Sequence, residues 1–532
     1  MLINLILTFS AAAFIMMTLF NFTHMFQQEG YKRKEYMGWL AEYSGGRIIF
    51  ILLVSVLYFI MSSLLVNSHI KILSLIGWIL YAVFAGLSVF YYFRFRVRDA
   101  KLPLKFTWRV KRLFITSALV LVILAVLCSF AGPSLMGIVI VFAPLFILCA
   151  DIINSPLEKH IRNGFLKDAR NRLDARKDLI KIGITGSYGK TSTKFILGTI
   201  LSEKYDPLVP PSSYNTPMGV TRVIREQLSD NNDVFIAEMG AKNIGDIKEL
   251  VDLVHPKFGI ITSVGPQHLE SFHTIENVAR TKYELIEGLP EDGTAFFPDD
   301  HAYTKELYDM TEHVEKVLFG IEEDEYEKGT LDVYARNIRS TENGSEFELV
   351  CREGSIGIVT KLLGKHNVMN IVGCAAIALK LGLSLEQIRD GAAKIESIEH
   401  RLQLIRNGNG ITVIDDAFNS NPVGSKAAID VLSSFTGRKI VVTPGMIELG
   451  ESEDQENFSF GSYMADKVDF VYLVGPNHTK PIYEGLTENG FDADKIRVVK
   501  SLNEASQDMG TLLVPGDVIL FENDLPDNYN EE

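Results

Sequence analysis

Apolar residues run together without interruption over approximately 2–24, 48–66, 70–92, 113–132 and 134–150. The run "IIFILLVSVLYFIMSSLLV" carries no charge over residues 48–66. About 20 apolar residues in helical form cross the hydrocarbon core of a bilayer. The pattern therefore predicts five transmembrane helices within 1–151. The first run has no basic region before it and no small-residue cleavage site, so it predicts a retained helix rather than a signal peptide. The fifth is the shortest and starts after Pro133. From 152 to 180 the texture turns charged and helix-prone, "KHIRNGFLKDARNRLDARKDL", which reads as a juxtamembrane linker. It is either a solvated helix or one whose basic residues touch anionic headgroups.

After Lys181 short β-branched runs alternate with amphipathic ones, the signature of a parallel α/β fold. Two domains are expected, 181–398 and 399–532. In the second, strands are expected at "GITVID", "KIVVTPG", "FVYLVG", "KIRVVK" and "DVILFEN" with helices between them. That alternation predicts a doubly wound, Rossmann-like sheet.

Charge sharpens the division. Residues 1–150 hold 13 Lys and Arg against 4 Asp and Glu, while the whole chain is −14, so 151–532 carries −23. An acidic body excludes nucleic acid as a partner, since phosphate binding needs a basic face. Eight Lys and Arg fall in 93–112 and four in 25–47, against none in the short connections 67–69 and 132–134. Basic loops stay cytoplasmic. This puts the N-terminus outside and 25–47, 93–112 and everything after about 152 inside, in a multi-pass cell-membrane protein. No Asp, Glu or Arg interrupts the apolar runs, which favours an anchor or lipid-facing platform over a transport path. The four cysteines, Cys128, Cys149, Cys351 and Cys374, have no metal or disulfide spacing and are expected to be buried thiols.

The candidate chemistry starts at "KIGITGSYGKTSTKF". A strand, a glycine-rich turn and a helix follow one another, as in a phosphate-binding loop. Gly186 and Gly189 let backbone approach phosphate, Lys190 supplies charge to the β- and γ-phosphates, and Thr191 offers a hydroxyl to Mg²⁺. The helix that follows adds its N-terminal dipole. Yet the common P-loop spacing requires glycine where Ile184 stands.

The segment "TGSYGKTST" (Thr185–Thr193) resembles the shortened T-G-[ST]-x-G-K-[ST] loop of the Mur ligase family. The resemblance continues through "SYNTPMGV", "AEMGA", "ITSVGPQHLESF", "ARTKYELIEGLP", "LGKHNVMNIVGCAAIA", "EHRLQLI", "DDAFNSNP" and "MIELGE". Their order and spacing over about 180–525 are those of the D-alanyl-D-alanine-adding, MurF-like branch. The resemblance implies a central ATP-binding domain and a C-terminal domain that close on each other. It also implies an ATP- and Mg²⁺-dependent ligase that makes an amide through an acyl phosphate.

Residue roles follow from the same resemblance. Thr185, Gly186, Ser187, Gly189, Lys190, Thr191 and Ser192 would hold the phosphates. Thr191 and Glu238 would ligate one Mg²⁺, and His268 would lie at a second metal site. Lys282 would be carbamylated by CO₂ into an anionic oxygen donor. Asn367 and Asn370, which also read as N-cap residues of the helix they open, would reach the adenine. Arg401 would swing onto the γ-phosphate, and Asp416 would lie on the ribose or amine side. Lys190, His268, Lys282 and Arg401 are the candidate catalytic residues.

Two departures concern the amine side. The family's G-D-M becomes Pro444-Gly445-Met446, and its K-G-S after the last strand becomes "ENDLPDNY" (522–529). A third lies at the front, where membrane spans replace the domain that holds a UDP-sugar in soluble relatives. The expected carboxylate substrate is a cell-wall precursor, which can be lipid-linked, and the expected amine is an amino acid or dipeptide, D-Ala-D-Ala by default. The alternatives are a ligase making or modifying another envelope polymer, such as poly-γ-glutamate or a lipid-linked glycan, and a non-catalytic ATP-binding scaffold. A nucleotide-driven transporter would need an L-S-G-G-Q signature, which the sequence lacks.

Overall fold

The computed structural model describes residues 1–67, 70–95, 103–267, 269–300, 302–322, 331–406, 408, 410–417, 420–447 and 449–524. The chain forms two compact units, Met1–Asn163 and the residues from Gly164 on.

The first unit is helical: α1 (Leu2–Gln28), α2 (Arg33–Tyr43), α3 (Gly45–Asn67), α4 (Lys71–Phe95), α5 (Trp108–Ala131), α6 (Leu135–Val141) and the start of α7 (Phe146–Ala175). Among the described residues α1, α3, α4 and α5 are long and apolar enough to cross a membrane. The fifth expected span is a broken one. Here α6 and the segment from Ala143 meet at 60°, with Pro144 in the 3₁₀ turn between them. Proline removes a backbone donor, which ends a continuous helical ladder. The structure also merges two expected segments, because α7 runs without a break across residues 151 and 152.

Side chains hold the helix ends in register. At one end the Asn4 amide donates to the Ser129 carbonyl at 3.1 Å. At the other, Asn21 donates to the Phe95 carbonyl at 2.8 Å and Gln27 to the Lys105 carbonyl at 3.0 Å. Residues 25–47 and the described parts of the second basic segment, 93–95 and 103–112, thus share one end of the bundle. Asp151 lies there too, with a side chain only 5% exposed and paired to Arg33 at 2.8 Å and Arg109 at 3.1 Å. A buried carboxylate held by two guanidiniums is satisfied where a lone one would be expelled.

The second unit contains two sheets. The first runs β1 (Ile180–Thr185), β2 (Pro207–Leu208), β3 (Val234–Glu238), β4 (Phe258–Ile261), β5 (Thr294–Pro298), β6 (Glu315–Ile321), β7 (Val333–Thr341), β8 (Gly344–Cys351) and β9 (Gly354–Thr360). Its order is β2-β3-β1-β4-β5-β6-β7-β8-β9. The strands are parallel through β7, and β8 and β9 add an antiparallel meander. β1 is flanked on both sides and fully buried from Ile182 to Thr185, so the loop after it emerges at the middle of the sheet. Hydrophobic cores cover both faces. One is built on Phe235, Leu250 and Ile286, the other on Ile196, Ile236 and Val372.

The second sheet has β10 (Gln403–Arg406), β11 (Thr412–Asp416), β12 (Lys439–Thr443), β13 (Phe470–Val474), β14 (Ile496–Val499) and β15 (Val518–Glu522), in the order β10-β11-β15-β12-β13-β14. Only β10 is antiparallel to its neighbour. Two cores again flank it, one holding Ile414 and Leu473, the other Tyr472 and Ile519.

The cysteines differ from expectation. Cys128 and Cys374 are buried, but Cys351 is partly exposed and Cys149 is exposed.

Candidate active site

The site starts from β1. Its last residue, Thr185, is buried and donates to the Met239 carbonyl at 3.0 Å, which ties β1 to the end of β3. Gly186 follows with φ +149°, and a Cβ there would meet Thr262 Oγ1 at 2.1 Å. Only glycine lets the loop pass this close to the end of β4. Ser187 N–H and hydroxyl donate to the Ser263 and Gly265 carbonyls at 2.9 Å each. Tyr188 N–H donates to Ser263 Oγ at 2.8 Å. The loop is therefore fastened to the segment after β4 before any ligand arrives. Gly189 caps the helix Lys190–Leu201 in the left-handed region, φ +79°.

Lys190 curls back and donates to the Gly186 and Ser187 carbonyls at 2.6 and 2.9 Å. Burial draws its ammonium down to about 8, opposed by the Glu238 carboxylate and assisted by the Arg401 guanidinium. One turn on, Lys194 points to the same place. Its ammonium lies 3.2 Å from Glu238 Oε2 and also donates to the Ser212 carbonyl. Glu238, at the end of β3, further accepts from Thr191 Oγ1 at 3.1 Å and from the Asn215 amide at 3.0 Å. Ser192, in the first turn of the helix, is buried.

Glu238 and Thr191 fit a hard cation. Mg²⁺ takes oxygen ligands at about 2.0–2.1 Å in an octahedron, whose edge is then about 2.9 Å. The 3.1 Å between Thr191 Oγ1 and Glu238 Oε1 is close to that edge. His268 lies outside the described residues, and among the described residues no group of three or more His, Cys, Asp or Glu gathers as a metal cluster.

Lys282 sits on the helix Ile275–Glu287 and is 1% exposed. Its ammonium makes no hydrogen bond among the described residues and lies 5.8 Å from the Phe272 ring centroid. Burial lowers it well below the ordinary lysine range, and nearby Lys190 adds to the effect. This face of the helix packs inward and keeps the Lys282 side chain out of water.

The expected N-cap role of Asn367 and Asn370 is corrected. Gly364 caps the helix Lys365–Lys380, and both asparagines lie inside it. Asn367 donates to the Leu363 carbonyl at 2.8 Å. Asn370 Oδ1 accepts from Thr193 Oγ1 at 3.3 Å and would lie 2.8 Å from a Cβ on Gly189. The asparagine supports the phosphate loop from behind.

Arg401 comes from the segment before the second sheet. His400 and Leu402 on either side both adopt positive φ, +58° and +46°, a conformation that costs energy in non-glycine residues. Two contacts hold the turn: His400 Nδ1 to Asp415 Oδ2 at 2.8 Å, and the Leu402 N–H to Asp416 Oδ1 at 3.1 Å. Burial lowers the Arg401 guanidinium, opposed by Asp416 and Glu238. Asp416 is raised to about 6 by burial, against the pull of Arg401. The C-terminal domain thereby brings a cation within electrostatic reach of Lys190 and Glu238.

Beside Asp416 the carboxyl ends of β11, β12 and β15 converge. Glu522 is buried and accepts from Thr443 Oγ1 at 2.7 Å and from Ser420 Oγ. Burial raises it to about 7. Asn523 donates to the Gly445 carbonyl at 2.6 Å, joining the two segments where the family pattern is broken. Sequence reasoning missed Lys194, Asn215 and Glu522 as parts of the site. Lys194 was accessible as the i+4 neighbour of Lys190 on one helix face.

Comparison with known proteins agrees with this geometry. The Mur ligase middle domain matches residues 184–378, and the Mur ligase glutamate ligase domain matches 400–522. A UDP-N-acetylmuramoyl-tripeptide--D-alanyl-D-alanine ligase of Mycobacterium bovis is 31% identical over 368 residues, covering 64% of this chain and 69% of the relative. This chain belongs to the Mur ligase family. The enzyme of the same description from Bacillus subtilis is 29% identical over 345 residues, 64% of this chain and 72% of that one. The crystal structure of MurF from Acinetobacter baumannii superposes with a TM-score of 0.62 at 28% identity, covering 68% of this chain and 77% of that one. The chain is thus a MurF-like, ATP-dependent, ADP-forming ligase of the Mur type, and Mur ligases use ATP with Mg²⁺.

Proposed function

We propose that this Mur ligase is anchored in the cell membrane, with its catalytic body in the cytoplasm, and adds D-Ala-D-Ala to the terminal carboxylate of a muramoyl tripeptide in peptidoglycan synthesis. The observation that carries the reading is the gathering of Lys190, Lys194 and Arg401 around the single carboxylate of Glu238. Cations from two domains facing one acidic metal ligand suit a magnesium-bound triphosphate and little else.

In this reading a substrate carboxylate oxygen attacks the γ-phosphorus in line, and the bond to the β-phosphate oxygen breaks. ADP leaves and an acyl phosphate remains. The amine then attacks the acyl carbon, phosphate departs, and the amine proton passes to a base. Lys190 and Arg401 stabilise the charge on the transferring phosphoryl group. Thr191 and Glu238 would hold Mg²⁺, which screens the phosphate charge. Lys282, buried and without a hydrogen-bond partner among the described residues, suits carbamylation: its neutral amine attacks CO₂, loses a proton and becomes an oxygen donor. Asp416 at the domain junction suits the ribose or amine side.

Outward-facing apolar residues support the anchor. Leu53, Ile72 and Phe130 are 65, 69 and 72% exposed, which water would penalise and lipid would not. The break in the Gly-Asp-Met and Lys-Gly-Ser patterns supports a second reading of the amine alone, because Glu522 puts a carboxyl where the family has lysine. The test is phosphate release by the detergent-solubilised full chain with ATP, Mg²⁺ and UDP-N-acetylmuramoyl-tripeptide, with and without D-Ala-D-Ala. Release that needs both partners supports the proposal. Release with the tripeptide and another amine, but not with D-Ala-D-Ala, replaces the amine and keeps the ligase.

A further inference from the structure

Glu238 has more partners than a metal ligand requires. Thr191 Oγ1 reaches both of its carboxylate oxygens, at 3.1 and 3.2 Å. Each oxygen also has a second donor, the Asn215 amide on Oε1 at 3.0 Å and the Lys194 ammonium on Oε2 at 3.2 Å. A carboxylate oxygen offers two acceptor positions, so either oxygen can keep its second donor and still meet a cation. The phosphate chemistry above has no use for Asn215, nor for the motif "SYNTPMGV" that contains it.

That motif is built onto the carboxylate. Ser212, just before it, adopts φ +52°, a conformation that a non-glycine residue keeps only where its surroundings hold it. Here the Ser212 carbonyl accepts from the buried Lys194 ammonium. Three residues on, the Asn215 carbonyl accepts from the Gly240 N–H at 2.9 Å. A Cβ on Gly240 would meet Asn215 Cγ at 2.8 Å, so the glycine two residues after Glu238 is what admits the asparagine. Thr216 then caps the helix Pro217–Gln227 by accepting from the Gly219 N–H at 3.2 Å. Residues 212–216 are thus fixed at both ends, and Lys194 and Asn215 tie them to Glu238.

We propose that Lys194 and Asn215 are positioning residues for the magnesium ion. They brace the Glu238 carboxylate between the phosphate helix and the segment 212–216, so that it meets the cation beside Thr191 without first having to turn. Both act through Glu238, and neither touches the reacting atoms. Contacts that aim a metal ligand in this way are worth about 10- to 100-fold in metal affinity. The inference rests on Thr191 and Glu238 as the magnesium ligands. It is independent of the amine, of the carboxylate substrate and of the membrane.

The test is calorimetric titration of the detergent-solubilised full chain with the non-hydrolysable ATP analogue AMPPCP, once with Mg²⁺ and once with EDTA. The ratio of the two dissociation constants measures what the metal adds, apart from turnover. Asn215→Ala removes one donor and no charge. Lys194→Arg keeps the charge and changes its reach. Each should cut the gain from Mg²⁺ about tenfold or more and leave the EDTA value unchanged. A merely structural role would instead weaken AMPPCP alike in both titrations, and that result overturns the proposal. So does an undiminished gain in an Asn215→Ala variant that melts like the parent. Should Lys194→Arg not fold, Asn215→Ala decides alone. A parent that gains nothing from Mg²⁺ overturns the metal reading of Glu238 itself, whereas a parent and variants that gain equally overturn only the positioning.

Discussion

Lys194 Nζ lies 3.2 Å from Glu238 Oε2, and neither side chain reaches solvent. The pair joins the helix after the phosphate loop to the end of β3, and it presets the carboxylate beside Thr191. Removing the cation would leave an uncompensated buried charge. Lys194→Met should therefore lower unfolding stability by about 3–5 kcal/mol, measured by urea titration of the second unit's transition. A variant as stable as the parent would show that the pair contributes nothing.

Arg401 tests closure of the two domains. The left-handed turn around it is held by Asp415 and Asp416 through His400 and the Leu402 N–H. Arg401→Ala should fold normally and lose about 10²–10³-fold in kcat, the usual effect of removing one charge that stabilises a transition state. A loss confined to KM for ATP would instead mean that Arg401 binds nucleotide equally in ground and transition states.

Lys282 is expected to carry CO₂. Its ammonium is lowered well below the ordinary 10.5 by burial, so the neutral amine is present at lower pH than for a free lysine. Protonation returns as pH falls through the lowered value, and carbamylation should be lost in that direction. A carbamate resonance from ¹³CO₂ is expected in the parent at neutral pH and not in Lys282→Ala. Acetate should restore part of the variant's activity. Full turnover by Lys282→Ala in CO₂-depleted buffer would sink the idea.

Glu522 gives the C-terminal domain a pH dependence of unusual sign. Its carboxyl is raised from 4.5 to about 7 by burial. Between those values the folded state holds a proton that the unfolded state has released, so stability falls as pH rises. The contribution is complete below pH 4.5 and is lost through about pH 7, with a magnitude on the order of 3 kcal/mol. Glu522→Gln keeps the contacts to Ser420 and Thr443 and should flatten this part of the profile in thermal unfolding between pH 5 and 8. A parent and variant with parallel profiles would contradict the assignment.

The chain's own pattern determined the division into an apolar helical part and an α/β body, because uncharged runs of membrane length and alternating β-branched segments are local properties. It also determined the phosphate loop, where residues close in sequence do the work: Gly186, Gly189, Lys190 and Thr191 lie on one turn and one helix end. Tertiary structure decided the rest. Lys282 reads as a surface charge until the packing of its helix buries it, and Asn370 reads as a cap until the helix start is fixed six residues earlier at Gly364. Glu522 gained its role only when β11, β12 and β15 were set side by side in an order different from the chain's. Arg401 and Glu238 come within electrostatic reach across 163 residues of sequence separation. Pairings at that distance depend on strand order and domain contact, which no window of local pattern contains.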